Sequence, residues 1–119
     1  MAGTRESKVR DPVVTWWKKR GGKHIRLSFR KGVTTGWPDD IFLIPGGRPL
    51  FIEFKAPGEL PTPIQQHRAG ELWELGYDVC WADSTDAARG ALTSRVGSPA
   101  LHAQGAGPSG GPACWRARA

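Results

Sequence analysis

Metal-binding and disulfide signatures are thin in this chain: two cysteines and three histidines in 119 residues. Cys80 and Cys114 lie far apart, and His24, His67 and His102 are scattered, so no zinc ribbon, finger or cysteine framework is indicated. Two free thiols in a reducing compartment are the expectation. No apolar run is long enough to cross a bilayer, and Met1 to Glu6 lacks the apolar core of a secretion signal. A cytoplasmic protein with no membrane partner follows. Acidic residues are nearly missing from the first quarter: residues 1–31 carry ten Lys/Arg against Glu6 and Asp11 alone. The length supports one domain and little more.

That charge is compensated in the middle of the chain. Residues 32–96 hold five Lys/Arg against nine Asp/Glu, within an overall net charge of +6. A basic end beside a carboxylate-bearing centre suits a polyanion drawn in by the first and presented to the second. The alternative is a solvated basic helix that only keeps the protein soluble.

Periodicity gives the elements. Val9, Val13, Trp16 and Trp17 recur at helical spacing over residues 5–20, and Gly21-Gly22 ends the helix. Pro12 is awkward there, so the helix either starts near Asp11 or kinks at Pro12. Residues 24–29 alternate as a strand with Ile25, Leu27 and Phe29 inward. Arg30 to Trp37 reads as a basic loop. Two apolar runs, Ile41 to Ile44 and Leu50 to Ile52, flank Pro45-Gly46-Gly47-Arg48-Pro49 and form a β-hairpin covered on both faces. Thr62 caps a second helix with Pro63 first, Gln65 three residues after the cap, and Ile64, Leu72, Trp73 and Leu75 inward. Tyr77 to Ala82 is a buried strand, and Ser84 caps a last helix to about Leu92. Trp16, Trp17, Trp73 and Trp81 read as core. The fold class is α/β: a small mixed β-sheet flanked by helices, order α-β-β-β-α-β-α. Residues 1–96 form the domain, and the Gly/Pro/Ala-rich residues 97–119 form a tail without structure.

The hairpin carries the chemistry. If its five-residue link is the whole loop, Ile44 faces Leu50, Ile41 faces Glu53 and Asp39 faces Lys55. Opposed residues share a face and side chains alternate, so Asp39, Glu53 and Lys55 converge while Asp40 points away. Two carboxylates and a lysine at the end of an apolar hairpin are costly to bury without a partner, and a divalent cation is one such partner. A salt-bridged rim is the other explanation. A bulge of one residue would exchange Asp40 for Asp39.

At this point the residues resemble a known family. Glu6 in the first helix, Gly36-Trp37-Pro38-Asp39, Glu53-Phe54-Lys55, Gln65 and Gly76 resemble, in order and spacing, a stand-alone VRR-NUC domain (virus-type replication-repair nuclease) of the PD-(D/E)xK superfamily, common in phage genomes. The resemblance spans about residues 5–92. It implies a metal-dependent DNA endonuclease that hydrolyses phosphodiester bonds, on branched or junction DNA, in phage replication, repair or recombination. The implied cofactor is Mg²⁺ or Mn²⁺, with no small-molecule cofactor, and homodimers are implied. Asp39 and Glu53 would bind the metal, with the Phe54 carbonyl and Glu6 completing its shell. Lys55 would position or deprotonate the attacking water. Gln65 would orient Lys55 or contact the scissile strand, or serve only as the return partner of Thr62 in a capping box. Lys18, Lys19, Arg20, Lys23, Arg30, Lys31 and Trp37 are the candidate nucleic-acid contacts. The alternative function is a non-catalytic nucleic-acid-binding module that keeps the nuclease fold.

Overall fold

A computed structural model describes residues 4–27 and 36–96, and the backbone of residues 113–114. The elements are α1 (Arg5–Lys19), β1 (Lys23–Arg26), β2 (Asp40–Leu43), β3 (Leu50–Phe54), α2 (Pro63–Glu74), β4 (Asp78–Ala82), α3 (Thr85–Arg95) and β5 (Ala113–Cys114). The strands lie in sequence order across one sheet, β1-β2-β3-β4-β5. β3 and β4 are parallel, joined through α2, and the other neighbours are antiparallel. Phe29, Arg30 and Lys31 lie outside the described residues, as do 97–112 and 115–119.

One face of the sheet carries the core. Val9, Val13 and Trp17 of α1 and Ala88, Ala91 and Leu92 of α3 pack on Phe42, Leu50, Ile52 and Phe54. The small alanines let α3 approach the sheet closely. α2 covers the other face over β4 through Ala69 and Trp73. This α/β sandwich is the expected class, but several details differ from the sequence reading.

α1 is continuous through Pro12, starting at an N-cap formed by Thr4, whose hydroxyl accepts from the Ser7 backbone N–H at 3.0 Å. Packing of Val9, Val13 and Trp17 on either side of Pro12 holds the helix through the lost hydrogen bond. β1 faces the opposite way from expectation. Its inward residue is His24, packed at a tilt against Phe42 with 4.7 Å between ring centroids, while Ile25 is exposed. α1 lies over the His24 side, anchored by Trp17 Nε1 donating to the Lys23 carbonyl at 2.9 Å, while α2 packs chiefly over β4. For the same reason β2 is not covered on both faces, since Leu43 is exposed. Ile64, in the first turn of α2, and Leu75, its C-cap, are exposed as well.

The cysteines also depart from expectation. Among the described residues there is no free cysteine, and Cys80 is disulfide-bonded. Its Cα partner across the sheet is Cys114 of β5. Ala113–Cys114 is therefore not structureless; it pairs with β4, which would otherwise be an open sheet edge. A thiol-only reading missed this because cysteines 34 positions apart carry no spacing signal.

Candidate active site

The hairpin register is displaced from the expected one by two residues. Phe42, not Ile44, pairs with Leu50, and Ile41 pairs with Phe51. Ile44 leaves the ladder, turns its side chain into the core at 6 % exposure, and its carbonyl accepts from Gly47 to close the turn. Continued by one residue, this register brings Asp39 level with Glu53 rather than Lys55. A slip of two keeps every side chain on its face, so Asp39, Glu53 and Lys55 still share one.

Gly36 fixes the loop that delivers Asp39. Its φ is +84°, and a Cβ there would lie 2.8 Å from the Ile64 side chain and 2.9 Å from the Ile64 carbonyl oxygen. Only glycine lets the Trp37-Pro38-Asp39 segment sit against the first turn of α2. That turn supplies Gln65. Trp37 lies under the Arg68 guanidinium, 4.8 Å from its ring centroid, which pins the same loop to the next turn of α2.

Gln65 makes the cap contact to Thr62 and a contact to Lys55 at the same time. Its Oε1 accepts from the Thr62 backbone N–H at 2.8 Å, completing a capping box, and also from Lys55 Nζ at 3.3 Å. Its Nε2 donates to Glu53 Oε2 at 3.2 Å. An amide oxygen has two lone pairs and the amide nitrogen two hydrogens, so one side chain serves all three partners. Lys55 is held from the other side by its backbone N–H, which donates to the Ala82 carbonyl at the end of β4.

Glu53 is the acid most affected by its surroundings. Burial first, then the charges of Asp39 and Glu6, push its carboxyl up to about 8. Glu6, half-buried in the first turn of α1, is thus within electrostatic reach of Glu53. Phe54 ends β3, its ring in the core. The basic residues divide differently. Lys18, Lys19 and Arg20 are exposed at the far end of α1, about 18 Å along the helix from Glu6. Lys23 pairs with Leu43, at the opposite end of the sheet from Asp40. These four form a basic end separate from the carboxylates.

Sequence reasoning missed the neighbours of Asp40. Asp40 does point to the opposite face, as expected, and is fully buried there. His24 Nε2 lies 2.7 Å from its Oδ1. Burial, followed by the Asp39 charge, lifts Asp40 to about 7, and burial also lowers His24, with Lys18, Arg26 and Arg10 adding to the effect. Arg26 reaches around the strand end, its Nη2 3.3 Å from Asp39 Oδ2 and its Nη1 3.8 Å from Asp40 Oδ2. The available signal was the His24-x-Arg26 alternation, which reads as a polar inward face once β1 is known to be an edge strand.

The donor set fits a hard divalent cation. Carboxylates are the right ligands, and a neighbouring positive charge would relieve the burial and repulsion that raise Glu53. Among the described residues, no group of three His, Cys, Asp or Glu side chains is placed to hold a metal ion by itself. Asp39 is instead turned to Arg26, so it would have to exchange partners.

Comparisons with known proteins bear on the family and the fold. No family model matches the chain. It is 38 % identical over 82 residues to "Putative nuclease p44" of Acyrthosiphon pisum secondary endosymbiont phage 1, covering 69 % of this chain and 86 % of that protein. A solved "VRR_NUC domain" superposes with a TM-score of 0.67 at 22 % identity, over 78 % of this chain and 99 % of the other. A "VRR_NUC domain protein" superposes with a TM-score of 0.60 at 25 % identity, over 82 % and 92 %. With the relative covered over most of its length and the shared sheet-and-helix core, the chain belongs to the phage-type VRR-NUC family of nucleases.

Proposed function

We propose that the protein is a metal-dependent DNA endonuclease acting on branched or junction DNA in phage replication, repair or recombination. The observation that carries this reading is Gln65 bridging Glu53 at 3.2 Å and Lys55 at 3.3 Å, with Asp39 level on the adjacent strand. One amide thereby fixes an acid and a cationic proton carrier relative to each other. Asp39 and Glu53 are the ligands for Mg²⁺ or Mn²⁺, with the Phe54 carbonyl and Glu6 as further donors. The ion would supply Lewis acidity toward a phosphate oxygen and lower the pKa of the attacking water. Lys55, oriented by Gln65, holds the water in line and stabilises charge developing on phosphate. Lys18, Lys19, Arg20 and Lys23 hold DNA backbone away from the cut.

A homodimer is part of this proposal. Ile25, Ile41, Phe51 and Val79 are register partners in one row across the sheet. Ile25 is 43 % exposed, and Tyr77, edge-on to Phe51, is also 43 % exposed. Val79, at the β4 end of the row, is fully buried, so it is the Ile25 and Tyr77–Phe51 part of this apolar face that a second copy would pack against. Cleavage of flap, fork, four-way-junction and linear DNA in EDTA, Mg²⁺ or Mn²⁺ tests the reading, with Glu53→Ala alongside. Metal-dependent cutting lost in the variant supports it. Binding without cutting in any metal, unchanged by the variant, would establish a non-catalytic binding module instead.

A further inference from the structure

We infer that Arg26 is a cation-displaced phosphate contact: it holds Asp39 in the metal-free protein and passes to a substrate phosphate once a divalent ion takes Asp39. The inference rests on the metal-dependent reading above. Its basis is the unequal grip on the two carboxylates. Arg26 Nη2 is 3.3 Å from Asp39 Oδ2, where both side chains are partly open to solvent at 43 % and 33 %. Such a pair is weak and exchangeable. Nη1 lies 3.8 Å from Asp40 Oδ2, and Asp40 is closed to solvent. Asp40 Oδ1 is occupied by His24 at 2.7 Å, whereas Oδ2 has no hydrogen-bond partner among the described residues.

Asp40 is therefore a buried, immobile charge partner within ion-pair range of Arg26, and Asp39, hydrogen-bonded to Arg26 but open to solvent, is the replaceable one. A guanidinium and a divalent cation on the same carboxylate repel each other, so occupancy by one weakens the other. The backbone keeps Arg26 in place during the exchange, because the Leu27 N–H donates to the Asp39 carbonyl at 2.8 Å. The freed Nη2 edge would then be available to an oxygen of the substrate phosphate. A planar guanidinium fork suits phosphate oxygens. The coupling is reciprocal: whatever Arg26 costs the metal, the metal costs the Arg26–Asp39 pair.

The test compares wild type, Arg26→Ala and Arg26→Lys by Mn²⁺ titration calorimetry, and by DNA binding with Ca²⁺ replacing Mn²⁺. Arg26→Ala is expected to bind Mn²⁺ about two- to fivefold tighter, the worth of one exposed ion pair. It is also expected to bind DNA more weakly, with a salt slope smaller by about 0.9, the share of one phosphate contact. Arg26→Lys, which restores the charge, should return Mn²⁺ affinity toward wild type. Equal Mn²⁺ affinity in wild type and Arg26→Ala, with binding lost in Glu53→Ala, overturns the inference and leaves the metal site standing. An unchanged salt slope overturns the phosphate half. No Mn²⁺ binding by either protein overturns the inference and the metal-dependent reading together.

Discussion

Replacing Glu53 by glutamine should make the metal-free protein more stable at alkaline pH and leave it nearly unchanged in acid. Glu53 is 7 % exposed, and its carboxyl is raised from 4.5 to about 8, chiefly by burial and then by Asp39 and Glu6. Between those values the folded protein keeps a proton that the unfolded chain has released. Stability therefore falls with rising pH by about 1.4 kcal/mol per unit for this group, starting near pH 4.5 and levelling off near 8. The ceiling on the loss is about 5 kcal/mol, and water entry or side-chain relaxation reduces it. Glutamine carries no such proton, and its Oε1 still accepts from Gln65. Asp40, raised from 3.8 to about 7, contributes its own fall in a lower window and is retained in the variant. Urea denaturation in EDTA at pH 5, 6, 7 and 8 reads the difference directly. The wild-type and Glu53→Gln curves should nearly coincide at pH 5 and separate by at least about 1 kcal/mol at pH 8. Parallel pH profiles for the two proteins would refute the assignment of Glu53 as a buried, repelled carboxyl.

Other perturbations separate structural from chemical roles. Thr62→Ala removes the α2 cap at a cost of about 1 kcal/mol but leaves the Gln65 bonds to Glu53 and Lys55, so cleavage should change little. Gln65→Ala removes the cap partner and both active-site bonds, so it should lose a similar stability in thermal melts and slow cleavage at least about tenfold. His24→Ala leaves Asp40 Oδ1 buried with its close partner gone, and should cost about 2–4 kcal/mol in urea denaturation at pH 7. Thiol titration of denatured, unreduced protein should find none, and reduction should lower stability by about 2–4 kcal/mol. A thiol titre near two per chain would contradict the disulfide.

The sequence made the shared face legible but not the partners on it. Strand alternation sufficed to group Asp39, Glu53 and Lys55, because a two-residue register error leaves faces intact. It failed on which residues stand level, since a Gly/Pro link does not reveal that Ile44 leaves the ladder for the core. β1 was misread because apolar alternation assumes that the apolar side faces inward. On this edge strand, α1 covers His24 instead, and with it came Asp40 and Arg26. Gln65 looked like a choice between cap and catalysis because sequence spacing shows the Thr62 partner and not the approach of β3. The Cys80 linkage was invisible for a similar reason: only the β4–β5 pairing brings Cys114 level with it.

The proposed chemistry turns on Lys55, held by Gln65 beside Glu53, acting in a metal-dependent cut. Single-turnover cleavage of a labelled DNA junction by wild type and Lys55→Ala, in Mn²⁺ and in EDTA, tests it most directly. The account predicts cutting by wild type only with Mn²⁺, and a rate at least about a hundredfold lower for a folded Lys55→Ala protein that still binds the DNA. Equal rates for the two proteins, or wild-type cutting that persists in EDTA, would contradict it.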